Sequence, residues 1–369
     1  MAFLISAKWA WVALKFILQQ REELKKIRRK GLVVVLMGCT SGLGMEIVQA
    51  VCDRLSTIKS HGPHTLITTT KDEENGVLTL GRLRHPTVRV GYHQLDASCN
   101  ESVRTFLQNL KEQFESVDIL INNAGSQKRL IPGILPSTFE LGCKDTAYYL
   151  MKEDYYETKL ATLALMPLMA PGGRVVIVAS SLAELAIRWM NEEAFTKLFS
   201  AASTEKDLDS VANSFFEELG DEGARGRRVY DALAYPFAQA ARIALAQCIG
   251  NKLKMSSSDP KSCVTVCSFS PGWCRTLPGR NRAPFSAAEG AAEAVFAAFD
   301  ANPEEVQGSF IVGRKPGKFG DEIASAHVDN ALPKFISAEN NHMILKHLPR
   351  CPAAIQDSPH AAEAVNIVM

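Results

Sequence analysis

From Gly31 onward the chain alternates short apolar runs with stretches whose apolar residues recur at helical spacing. Gly31–Met37, His64–Thr70, Val88–Leu95, Val117–Ile121, Arg174–Ala179 and Cys263–Ser270 have the length and composition of buried strands. Met45–Val51, a segment beginning near Glu101, and Met151–Met169 read as helices between them. That alternation predicts an α/β fold, a doubly wound parallel sheet with helices on both faces, formed by one domain over residues 31–317. Residues 182–230 interrupt the rhythm after the fifth run, and Thr204–Leu219 within them reads as an amphipathic helix with a capping signal.

Two flanks lie outside this pattern. Ala2–Leu18 is almost entirely apolar, with Phe3, Trp9, Trp11 and Phe16. Lys8 and Lys15 share one helical face, which Gln19, Glu22 and Lys26 continue. The stretch is slightly short for a span and carries two charges, so lying in the interface competes with crossing the bilayer. The basic cluster Arg21–Lys30 that follows would stay on the cytosolic side. A cleaved secretory signal lacks its small-residue site, and Glu22 and Glu23 count against a mitochondrial presequence. Packing on the protein's own surface or on a partner subunit is the other reading. The expectation is an N-terminal hydrophobic helix, residues 1–30, that attaches residues 2–30 to a membrane surface. The catalytic domain would then face the cytosol at the endoplasmic reticulum, with a cytoplasmic protein as the alternative. The extension 318–369 carries His327, His342, His347 and His360 at irregular spacing, so no metal site is expected.

Charge narrows the partners. Lys and Arg number 41 against 40 Asp and Glu, a net charge of +1, so no global field favours nucleic acid. A nucleic-acid role for Arg21–Lys30 would rest on charge alone. The nine cysteines form no CxxC pair, and Cys263 and Cys267 fall on one face of a predicted strand. They read as reduced, mostly buried thiols.

The chemistry lies at the strand ends. Gly38-Cys39-Thr40-Ser41-Gly42-Leu43-Gly44 joins the first strand to the first helix. Strand, glycine turn and helix in that order build a phosphate cradle: the backbone can approach closely, and the helix start offers unpaired N–H groups. Asn122-Asn123-Ala124-Gly125 directly follows the fourth strand. Together, in this order and separation, these motifs resemble the short-chain dehydrogenase/reductase family over roughly Gly31 to Gly317. The resemblance implies a Rossmann-type fold and a nicotinamide dinucleotide held by Gly38, Thr40, Ser41, Gly42, Leu43, Gly44, Asn122, Ala124 and Gly125. It also implies that Asp96 contacts the adenine amino group, although Asp96 could equally cap the next helix, a role open to Asn100. Lys71 stands where relatives that use NADP carry a base, with Asp72 a step beyond, and favours NADP(H) over NAD(H). Pro271-Gly272-Trp273-Cys274-Arg275-Thr276 matches the family loop in which backbone and a threonine hold the carboxamide; Pro271, Gly272 and Thr276 are the candidates. That loop and the 182–230 insertion point to the carbonyl-reductase-like branch, where such an insertion walls the substrate cleft. Trp189, Met190, Phe195, Phe199 and Phe215 either line that wall or pack the insertion onto the domain. Cys39 and Cys274 lie inside the cofactor motifs, so an oxidant could block binding.

The family's chemistry uses a tyrosine as general acid/base, a lysine four residues later, a carbonyl-orienting serine and an asparagine holding a relay water. Ser180-Ser181 ends the fifth strand; Ser181 is the match and Ser180 the runner-up. Tyr148 with Lys152 and Tyr155 with Lys159 have the right spacing but precede the serine strand, so they are decoys. Tyr235 is the positional match, which puts Gln239 at the lysine position and Asp154 at the asparagine position. Met37 replaces the threonine usual before the first glycine, and Pro236 constrains the helix start. Glutamine keeps a donor for a ribose hydroxyl but supplies no charge to stabilise a tyrosinate. The expected activity is an NADP-dependent interconversion of carbonyl and alcohol on a small apolar substrate. The competing class is a catalytically impaired nucleotide-binding pseudoenzyme acting as a membrane-associated scaffold or redox sensor. Family members commonly pair through long helices, so a homo-oligomer is open.

Overall fold

The structure, a computed structural model, describes residues 31–39, 42–60, 62–71, 85–125, 148–187, 190–221, 224–257, 259, 261–276 and 283–317, the side chains of 216–233 excepted. Thr40, Ser41, Asp72, Trp189, the 1–30 segment and the 318–369 extension lie outside those residues.

Eight strands form one sheet in the order β3-β2-β1-β4-β5-β6-β7-β8. They are β1 (Val33–Met37), β2 (His64–Thr70), β3 (Val88–Gln94), β4 (Val117–Asn122), β5 (Met169–Val178), β6 (Thr265–Ser270), β7 (Phe310–Val312) and β8 (Lys315–Gly317). All neighbours run parallel except β7 and β8. The chain leaves β1 toward β2 and later returns to pair β4 on the other side of β1, which opens a crevice at the carboxyl ends of the central strands. The doubly wound expectation holds.

Both faces of the sheet are covered, which is why the central strands are apolar throughout. On one face α1 (Leu43–Ser56) buries Ile47, Val48, Val51, Cys52 and Leu55, a stripe at helical spacing, against β1 and a later helix, α8 (Ala287–Val295). On the other lie α2 (Asn100–Gln113), α3 (Glu157–Leu165) and α7 (Ala224–Ser256), packed on Val35, Met37, Leu120 and Ile177. The insertion folds as α4 (Ala183–Ile187), α5 (Glu192–Phe199) and α6 (Glu205–Asp221). Thr204 and Asp207 cap α6 reciprocally: Thr204 Oγ1 accepts from the Asp207 N–H, and Asp207 Oδ2 accepts from the Thr204 N–H at 2.8 Å.

Four local expectations change. Pro236 does not mark a helix start: α7 begins at Ala224 and runs through it for 33 residues. An interior proline costs about 3 kcal/mol. Phe237, Ile243 and Leu245 are buried on the same helix, and each recovers roughly 1.5–3 kcal/mol, so packing outweighs the lost bond. Strand β5 starts at Met169 rather than Arg174, because pairing with β4 resumes across an irregularity between Val117 and Ile119. Cys263 precedes β6, so it shares no strand face with Cys267. Cys99 rather than Asn100 occupies the position before α2, and Asp96 Oδ1 instead takes the Ser98 N–H at 2.8 Å and its hydroxyl at 2.7 Å.

Among the described residues no helix is long and apolar enough to cross a membrane, and no acidic, histidine or cysteine cluster could hold a metal ion.

Candidate functional site

The glycine turn is built against its neighbours rather than standing free. Gly38 has φ +73, a conformation that L side chains avoid, and its carbonyl accepts a 2.6 Å bond from Asn123 Nδ2. The Asn123 N–H in turn donates to the Met37 carbonyl at 3.1 Å. Gly44, in the first turn of α1, approaches so closely that a Cβ there would overlap the Gly38 carbonyl oxygen and lie 2.9 Å from Cys39 Cα. The start of α1 carries no side-chain cap, so its first N–H groups face the turn. Thr276 closes the other side: a Cβ on Gly42 would stand 3.2 Å from the Thr276 Cβ. The first motif, the Asn-Asn-Ala-Gly loop and the loop after β6 therefore meet, as the sequence required. The resulting cradle, backbone-walled and opening on a bare helix start, fits a pyrophosphate. Asn122 is the internal brace: its Oδ1 accepts from the Ala124 N–H at 3.2 Å, while Nδ2 donates to Thr162 Oγ1 at 3.1 Å. Asn123 was not singled out from sequence, although it directly ties the two loops.

The loop after β6 is clipped into shape. The Arg275 N–H donates to the Phe285 carbonyl at 2.7 Å, and Arg275 Nη1 donates to the Pro284 carbonyl at 2.7 Å. Gly272 N–H reaches Ser270 Oγ at 3.3 Å, and Ser181 Oγ donates to that same oxygen at 3.1 Å. Ser270 thus links the candidate serine to the candidate carboxamide loop, a role its sequence position did not disclose. Ser180 Oγ accepts the Leu182 N–H at 3.3 Å, an ordinary turn contact.

At the end of β2, Lys71 is half-exposed and salt-bridged: Nζ lies 2.6 Å from Glu157 Oε2 and 3.6 Å from Glu153 Oε1. Burial works against its charge, but Glu157, Glu153 and Asp96 outweigh it and hold its pKa above the usual lysine value. Burial pushes Glu157 above the usual carboxylate value despite Lys71, and its second oxygen, Oε1, is buried without a hydrogen bond. Asp96 is also partly buried, but the Ser98 bonds and the charges of Lys71 and Lys152 hold its carboxyl below its usual value. Neither glutamate was legible as a partner of Lys71, since they lie far along the chain on the helix after β4.

The catalytic end holds a departure from the expected roles. Asp154 sits in a π-helical turn, Lys152–Tyr156, where the Glu157 N–H reaches back to the Lys152 carbonyl. It is 1 % exposed, and its Oδ2 accepts from Gln239 Nε2 at 3.1 Å. One of the two amide N–H groups of the glutamine expected to serve a ribose hydroxyl is therefore engaged by Asp154. A carboxylate offers only lone pairs, so the amide must turn its NH2 toward it. Tyr235 is buried one turn earlier on α7, and α4, which follows Ser181 directly, packs on the same helix. Arg242, one turn beyond Gln239, is also buried; its Nη2 donates to Thr158 Oγ1 at 2.8 Å and to the Ala124 carbonyl. A buried arginine seven positions after the tyrosine is a signal that a search for lysine passes over.

The decoys are engaged elsewhere. Tyr155 donates to Asp209 Oδ1 at 3.0 Å, and Lys159 pairs with the other oxygen of Asp209, pinning α6 to α3. Burial and then the Asp209 charge push the Tyr155 phenol far above its usual value, so it makes no base. Of the large apolar insertion residues, Met190 and Phe215 are buried, and Phe215 stacks on Phe237 with centroids 4.2 Å apart. They pack the insertion down rather than line a cleft. Cys39 donates to the Thr69 carbonyl at 3.4 Å and burial raises its pKa, so its thiol is kept protonated. The seven described cysteines are all free.

Comparison with known proteins agrees with this geometry. Residues 32–200 match the short chain dehydrogenase family. The chain is 26 % identical over 284 residues to carbonyl reductase (NADPH) 1 of Rattus norvegicus, covering 77 % of this chain and 96 % of that one. It is likewise 26 % identical over 280 residues to carbonyl reductase (NADPH) 1 of Homo sapiens, covering 76 % and 95 %. Salutaridine reductase from Papaver somniferum shares the fold, with a TM-score of 0.61 at 22 % identity over 76 % of this chain and 99 % of that one. Motif order, strand order and these likenesses converge: the chain has the short-chain dehydrogenase/reductase fold, its residues 32–200 match that family, and over three quarters of its length it is similar to the carbonyl reductases.

Proposed function

We propose that the chain is an NADP(H)-dependent oxidoreductase that interconverts a carbonyl and an alcohol on a small apolar substrate. The observation that carries this reading is the joint closure of the Gly38–Gly44 turn, the Asn122–Gly125 loop and Thr276 around the bare start of α1. The relatives named for NADPH and the base at Lys71 support the choice of dinucleotide. When bound, the dinucleotide supplies the hydride. The chain's own groups do the rest: the Ser181 hydroxyl, which donates to Ser270 Oγ in the free site, turns to the reacting carbonyl oxygen, and the Tyr235 hydroxyl delivers the proton to that oxygen. Asp154 is the acceptor behind them, and Gln239 is held by it. Gln239 supplies no positive charge at the lysine position, so turnover falls below that of a site with the lysine in place. Residues 2–30 attach this domain to a membrane surface facing the cytosol, a reading supported by their apolar run and basic flank; co-sedimentation of the full chain with vesicles, lost on deleting them, tests it.

The test is to titrate the full chain with NADPH and NADH by nicotinamide fluorescence and then supply apolar aldehydes and ketones. NADPH-dependent reduction supports the proposal. Tight binding without turnover on any of them supports the scaffold or redox-sensor alternative, and no binding overturns both.

A further inference from the structure

Arg242 is the buried cation that the proposed chemistry does not use. It is 5 % exposed and lies one turn past Gln239 on α7. A Cβ placed on Gly125 would stand 3.2 Å from its Nη1 and 2.7 Å from Asp154 Oδ1. The guanidinium and the Asp154 carboxylate therefore converge on one point beneath the Asn-Asn-Ala-Gly loop, while the other oxygen of Asp154 holds Gln239. A guanidinium cannot shed its charge by losing a proton. Buried among uncharged groups it would be costly, so the carboxylate beside it is driven to its ionised form. Ionised, Asp154 can only accept, and that fixes the Gln239 amide with its NH2 toward Asp154.

We propose that Arg242 is a positioning residue of the dinucleotide site: it holds Asp154 as a carboxylate, and Asp154 turns Gln239 so that the amide oxygen is left for a hydroxyl of the bound dinucleotide. This rests on the reading of the pocket as a dinucleotide site. Where the family uses a neutral asparagine and a cationic lysine, this chain uses an ion pair and a neutral amide. The hydrogen bond to the ribose is reversed in sense, with the hydroxyl donating to the protein. Such a site is rebuilt around a different charge pattern rather than decayed.

The experiment is a cycle in the full chain of Arg242→Met, Asp154→Asn and the double variant, with two readouts. One is the urea midpoint without nucleotide; the other is the NADPH dissociation constant across about pH 6 to 9. Arg242→Met strands Asp154, which takes up a proton and becomes a donor. Its urea midpoint falls, its NADPH affinity drops by at least about tenfold, and that affinity acquires a pH dependence near neutrality. Adding Asp154→Asn restores the midpoint and flattens the pH profile, while affinity stays below the parent because a neutral amide no longer fixes Gln239. A simple packing brace would lower the midpoint with a flat pH profile and no rescue. An Arg242→Met protein like the parent in both readouts, or a double variant no better than the single, overturns the proposal. If Arg242→Met alone yields no folded protein, recovery or failure of the double variant decides. If the parent binds no NADPH, the dehydrogenase reading fails, while the urea cycle still reports whether Arg242 and Asp154 are coupled.

Discussion

Restoring the missing lysine by itself should gain little. Tyr235 and Gln239 are an i,i+4 pair on α7, so their side chains start about 6 Å apart. At that distance and an effective dielectric of about 20, a cation at position 239 would stabilise negative charge on the Tyr235 oxygen by about 3 kcal/mol, or about a hundredfold. Asp154 Oδ2, however, already sits 3.1 Å from the Gln239 amide nitrogen. An introduced lysine would contact that carboxylate first, with an attraction of about 5 kcal/mol on the same scale, and the carboxylate would cancel most of the field at Tyr235. Gln239→Lys is therefore expected to change kcat/KM for NADPH-dependent carbonyl reduction by no more than about threefold. The triple variant Asp154→Asn, Gln239→Lys, Arg242→Met removes both the trap and the cation it balances. It should raise kcat/KM by at least about tenfold, with a ceiling near about a hundredfold, and move the basic limb of the pH–rate profile to lower pH. A hundredfold gain from the single variant would show that Asp154 does not hold the incoming charge. No gain from the triple variant would show that charge at this position does not limit the rate.

Two further changes probe the rest of the site. Gly44→Ala drives a methyl into the Gly38 carbonyl and the Cys39 backbone, neither of which can yield as a flexible side chain would. At about 1–3 kcal/mol for overpacking, the cradle opens, and NADPH affinity in a fluorescence titration should fall by at least about tenfold; an unchanged affinity would mean that the turn is not the phosphate site. Glu157→Gln removes the 2.6 Å competitor from Lys71 and one negative charge from the place where a 2′-phosphate would lie. NADPH should then bind about threefold to tenfold more tightly while NADH is unaffected, and an unchanged ratio would remove Lys71 from phosphate recognition. Because the pKa of Lys71 is raised, its paired charge persists fully below the ordinary lysine value and is lost only as pH climbs through the higher folded value. The NADPH preference should accordingly be flat across neutral pH.

Much of the frame was legible because backbone needs dictate residue types locally. Gly38, Gly42 and Gly44 betray a turn that tolerates no side chain, and the runs on β1, β4 and β5 betray burial on both faces. The candidates Tyr235 and Ser181 were chosen from their order relative to the strands. What stayed hidden are contacts between distant segments. Lys71 finds Glu157, Gln239 finds Asp154, and Arg242 finds Thr158, each across more than one element. The start of α7 was misplaced for a related reason: Pro236 argues locally for a boundary, and only the burial of its neighbours shows why the helix continues.

The central claim is that this pocket binds NADPH and uses Tyr235 to deliver a proton to a carbonyl. The most direct measurement is NADPH oxidation by the full chain and by Tyr235→Phe with one panel of apolar aldehydes and ketones, alongside NADPH binding to both. The account predicts slow but saturable oxidation by the parent, binding retained within about threefold in the variant, and turnover reduced by at least about a hundredfold. Turnover that survives Tyr235→Phe, or a parent that binds no NADPH, would contradict it.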